Sequence, residues 1–168
     1  MQALQITSMK QFMNQLLASD TFDIFLLEEA VITTACTYHI DGLQHPEFFG
    51  DTEPADRPGG SHDFVNWSSM RSLIFDLIKG KRTPLNFKFV LHLTPEHTAS
   101  ILLNAGSAAP HHQVKAFVLT VRYDGEKILL TTGVSFHTFL PDKEPDRLWD
   151  SALLRYLSKK GVPFEVAG

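Results

Sequence analysis

Residues 4–17, "LQITSMKQFMNQLL", and residues 90–103, "VLHLTPEHTASILL", decide the fold. Each opens on a short apolar stretch, passes a Ser or Thr able to cap a helix, and continues with apolar residues at helical spacing. In the first, Met9, Phe12, Met13, Leu16 and Leu17 fall at i, i+3, i+4, i+7 and i+8. In the second, Thr94 stands at the N-cap, Pro95 in the first turn and Gly106 beyond the end. The two stretches align without a gap in polar and apolar character.

Strand signals and an Asp-Gly turn follow each helix. "FDIFLLEE" and "AVITTACTYHI" lead to Asp41-Gly42, and "VKAFVLTVRYDGEKILLTTGVSF" turns at Asp124-Gly125. This predicts an α+β fold: a mostly antiparallel sheet built from two β-α-β-β repeats, in halves at 1–42 and 84–140. An insertion at 43–83 carries a long loop and a helix over Trp67–Lys79, with Trp67, Met70, Ile74, Leu77 and Ile78 on one stripe. A last helix over 146–158 is closed by Gly161. With these two added helices the chain reads as a single domain over 1–168.

Composition bounds the function. Hydrophobic residues make up 43% of the chain and 13 are Phe, so a packed core is available. The 15 basic and 19 acidic residues leave a net charge of −4, the wrong sign for a protein held to nucleic acid by phosphate neutralisation. One cysteine, Cys36, excludes an internal disulfide and a CxxC site, and its apolar run predicts a buried, inert thiol. The N-terminal stretch has no secretory pattern and no run is long enough for a membrane span, so no membrane partner and a cytoplasmic location are expected.

"LIKGKRTP" gathers Lys79, Lys81 and Arg82 around Gly80, the candidate anion-binding residues. A phosphate loop sets its glycine before a helix N-terminus. Here the glycine follows a helix, and Lys79, Gly80 and Pro84 read as helix-stop chemistry. The histidines point elsewhere. A two-residue hairpin at Asp124-Gly125 pairs Tyr123 with Glu126, Val121 with Ile128 and Phe117 with Thr132. Continued without a bulge, it sets His112 opposite His137, a candidate metal pair. Strand alternation then gathers His39, Lys88, His92, His112, Thr131, Ser135 and His137 on one face as candidate ligand-binding residues. No cofactor is predicted; a divalent metal is the one group these imidazoles and the loop carboxylates could take. In the loop, Phe48 and Phe49 of "PEFFG" are open to three roles: pinning the loop, adding an edge strand, or offering a contact to a partner.

"ALQITSMKQFMNQLLASDTFDIFLLEEAVITTACTYHIDG" and "FVLHLTPEHTASILLNAGSAAPHHQVKAFVLTVRYDGEKILLTTG" together resemble one domain of a DNA sliding clamp, over somewhat more than half the chain. The resemblance implies a clamp-like fold and DNA-facing helices. The first helix here offers Lys10 with Gln11, Asn14 and Gln15; the second offers Glu96, His97, Ser100 and Asn104. One Lys against one Glu cannot supply the counterion release that holds DNA. The chain as a whole is also similar to a bacterial family of domains of unknown function, which implies no activity. No nucleophile motif is present. The favoured function is therefore a non-catalytic binding or assembly module with a protein partner or a second copy. A metal-dependent enzyme using strand and loop histidines is the alternative, and a nucleic-acid accessory protein the third.

Overall fold

The computed structural model describes residues 1–106, 113–138 and 142–167. Its strands are β1 (Ala3–Ile6), β2 (Phe25–Thr33), β3 (Thr37–Asp41), β4 (Val65–Asn66), β5 (Asn86–Leu93), β6 (Val114–Tyr123), β7 (Ile128–Phe136) and β8 (Phe164–Val166). The helices are α1 (Met9–Leu17), α2 (Pro46–Phe49), α3 (Trp67–Ile78), α4 (Pro95–Asn104) and α5 (Glu144–Lys159). All eight strands join one antiparallel sheet in the order β3-β2-β5-β6-β7-β1-β8, with β4 pairing the end of β2. The α+β expectation holds, with α2, β4 and β8 added. The duplication is not confirmed by this order. β5 lies between β2 and β6, whereas β1 lies between β7 and β8, so the two look-alike segments occupy non-equivalent places.

Each helix forms where one stripe is apolar. In α5, Pro145, Trp149, Leu153 and Leu157 recur every four residues and are all buried. Trp149 stacks on Phe117 of β6 at 5.3 Å between ring centres and donates its indole N–H to the Val118 carbonyl at 2.9 Å. The α3 stripe buries Trp67 and Ile74; the Trp67 indole N–H reaches the Leu16 carbonyl of α1 at 2.9 Å. Every aromatic ring so buried contributes about 1.5–3 kcal/mol, which is why the Phe-rich strands and these stripes find each other. Arg71 of α3 clamps Asp23 through two bonds of 3.0 and 3.2 Å, joining α3 to the turn after α1.

Three expectations need correction. The hairpin between β6 and β7 is not two residues long: Tyr123 pairs with Ile128, Val121 with Leu130 and Phe117 with Val134. The Asp124 carboxylate accepts the backbone N–H groups of Glu126 and Lys127, both at 2.9 Å, so those amides serve the turn instead of the ladder. These bonds hold Asp124 below the usual carboxylate range. A slip of two preserves which side chains share a face, so the buried set survives the error. The second correction is the bulge between Val114 and Ala116 in a ladder expected to run without one; His112 lies outside the described residues. The third is Cys36. It is exposed, in the turn between β2 and β3 where Thr34 N–H bonds the Cys36 carbonyl, because β2 ends at Thr33 instead of running through the cysteine.

Candidate functional site

α1, α3, α4 and α5 contribute buried side chains to one core with the inward-facing strand residues. Between α1 and the C-terminal end of α3 this layer opens into a cleft of about 490 Å³. Its floor is the sheet: Phe87 of β5, Tyr123 of β6 and Ile128 of β7, all buried. Met9, Met13 and Leu17 form one wall and Phe75, Ile78 and Pro84 the other. Volume and lining match the general character of ligand sites, which are concave and mostly apolar with a few polar groups. Met9 and Phe75 remain 41% and 44% exposed, so this apolar surface is only partly covered by the protein itself.

Among the described residues the charged side chains lining the cleft are Lys10, Lys79 and Arg82, with no carboxylate. Lys79 makes an ion pair with Asp76 at 3.0 Å on the outside of α3. Three cations around an apolar floor invert the balance of a chain whose net charge is −4. Two of the sequence-proposed anion residues, Lys79 and Arg82, therefore border the cleft, while Lys81 is exposed outside its lining. Gly80, with φ of +142°, lets the chain leave α3 and turn these side chains toward α1. Helical spacing places Met9 and Met13 on the stripe of Phe12 and Leu16; only the spacing of α1 from α3 shows that they line a gap.

The candidates on the opposite face of the sheet are spread out. His39, Val31, Lys88, Arg122, Leu129 and Gln5 form one cross-strand row. Glu29 takes Lys88 at 3.2 Å and His39 at 3.8 Å. Thr131 faces Thr120 in the next row, and Ser135 lies opposite Ala116. His137 is exposed just past β7, its N–H bonded to the Gln113 carbonyl, and His112 lies outside the described residues. From β3 to β7 is four strand spacings, roughly 19 Å, far beyond what one ion could bridge. Among the described residues no three His, Cys, Asp or Glu side chains converge as a metal site.

His92 occupies the expected face but not the surface. It is 7% exposed, bonded to Glu28 at 2.9 Å, with the ring of Phe64 edge-on at 5.0 Å. The segment after β3 lies over it. Gln44 fastens that segment internally to Gly59 and His62, and His62 reaches Glu96 on α4 at 3.0 Å. Glu28 is the residue at the β2 bulge, which interrupts the pairing with β5 beside the imidazole. Farther along the segment, α2 holds Phe49 half-buried beneath Arg57, 5.5 Å away, and leaves Phe48 84% exposed.

Gln11 and Gln15 of α1 donate their side-chain amides to the carbonyls of Gly161 and Lys160, capping the end of α5. The resemblance to a sliding clamp rests on the sequence pattern alone. A family profile described as a family of unknown function, DUF5721, matches residues 15–165. No curated protein and no solved structure matches the chain. The chain belongs to the DUF5721 family.

Proposed function

We propose that this member of a family of unknown function is a non-catalytic binding module, and that its site is the cleft between α1 and α3. One observation carries the reading: an open apolar cleft with Phe87, Tyr123 and Ile128 as floor and, among the described residues, Lys10, Lys79 and Arg82 as its charged lining. Its ligand combines an apolar, preferably aromatic, body with negative charge. The apolar surface supplies affinity and the cations supply orientation and faster encounter.

An anionic aromatic probe, anilinonaphthalenesulfonate, tests this. The expected result is saturable fluorescence enhancement at one site, weakened roughly tenfold or more by Lys79→Glu combined with Arg82→Glu and reduced by added salt. His39→Ala and His137→Ala leave the titration unchanged. Equal binding by wild type and the double charge reversal would remove the cleft as the site.

A further inference from the structure

The molecule carries the counterpart of its own cleft. Among the described residues Phe48 is the most exposed aromatic side chain, 84% accessible, in a one-turn helix. Near it along the chain Glu47, Asp51, Glu53 and Asp56 are all exposed, and no cation interrupts the run from Pro46 to Asp56. An unburied phenyl ring flanked in sequence by carboxylates, with the ring of Phe49 beside it at 5.4 Å, is unfavourable on an isolated surface, and it fits an apolar cleft rimmed by lysine and arginine. Within the same chain, Phe48 is not among the residues that line the cleft. Pro58 meets Asn66 and Ser69 at the beginning of α3, whereas the cleft lies along Phe75–Gly80 at its other end. Ser69 and Phe75 are six residues apart on α3, about 9 Å at 1.5 Å per residue.

We propose that the occupant of the cleft is the Phe48 loop of a second copy of this chain. Phe48 enters between Met13 and Phe75, and its flanking carboxylates meet Lys10, Lys79 and Arg82. The contact joins two different surfaces, so it is heterologous: one copy gives the loop and the other the cleft. This rests on the cleft being a binding site at all, and goes beyond it by naming the partner.

The test is cross-complementation, read by sedimentation equilibrium on the full chain. Wild type is expected to rise above the monomer mass of 18.9 kDa with concentration, and less so at high salt. Phe48→Ala, which retains a sound cleft, and Lys79→Glu with Arg82→Glu, which retains a sound loop, are each expected to bind themselves at least tenfold more weakly. These residues are exposed, so the variants fold. Mixed together, the two variants are expected to form a one-to-one dimer, since one intact loop and one intact cleft remain. Monomeric wild type at high concentration, or association untouched by Phe48→Ala, would overturn the proposal. If the aromatic sulfonate still binds in that case, the cleft stands as a site for another ligand; if it does not, both readings fall together.

Discussion

Two single residues show how little freedom the packed chain leaves. Gly42 follows β3 against the backbone of β2; a Cβ there would lie 1.8 Å from the Leu27 carbonyl oxygen. Backbone cannot yield as a side chain can, so Gly42→Ala is expected to destabilise by at least about 2 kcal/mol, measured from urea unfolding midpoints. Trp67 is fully buried and its indole N–H serves the Leu16 carbonyl in the last turn of α1. Trp67→Phe removes that bond and leaves a void where the larger ring sat. A loss of about 2–4 kcal/mol is expected in the same assay, and a loss under about 0.5 kcal/mol would mean that the bond is replaced by water.

At the scale of elements, ion pairs decide how pieces dock. Arg71 and Asp23 are both about three-quarters buried and doubly bonded, so Arg71→Lys, which keeps the charge but loses the planar fork, is expected to cost about 1 kcal/mol. The segment over His92 docks on α4 through His62 and Glu96. Glu96 is held below the usual carboxylate range, first by the backbone N–H at its own position in the first helical turn and then by His62. A lowered carboxylate stabilises the fold above its unfolded pKa of about 4.3, and this contribution is lost as the pH falls through the lower folded value. The urea midpoints of wild type and Glu96→Gln are therefore expected to differ at pH 6 and to converge by strongly acidic pH. A gap that persists in acid would show that the pair acts by packing and not by charge.

For the whole molecule, the cleft floor of Phe87, Tyr123 and Ile128 belongs to the core, while the loop and the charged rim proposed to meet stand outside it. The core lies between the helices and one face of the sheet, while Phe48 and Arg82 stand clear of it. Substitutions at Phe48, Lys79 and Arg82 are expected to move the unfolding free energy by no more than about 0.5 kcal/mol while changing self-association by an order of magnitude or more. Core substitutions such as Trp67→Phe are expected to do the reverse at concentrations where the chain stays folded. Parallel loss of stability and association in the Phe48→Ala variant would show that the loop is part of the fold.

The sequence by itself determined the periodicities: which stripe of each helix and which strand faces are apolar, and the turn at Asp124-Gly125. These depend on neighbours a few positions away, through helical and pleated geometry. It also placed Lys79, Gly80 and Arg82 at a helix end and marked Phe48 as out of place. The tertiary structure alone decided the order of the strands, the four-residue turn governed by the Asp124 carboxylate, the bulges at Glu28 and Lys115, the cover over His92, and the gap between α1 and α3. Each of these is a meeting of groups distant along the chain, or a competition for one hydrogen bond, and polar–apolar alternation carries no record of either.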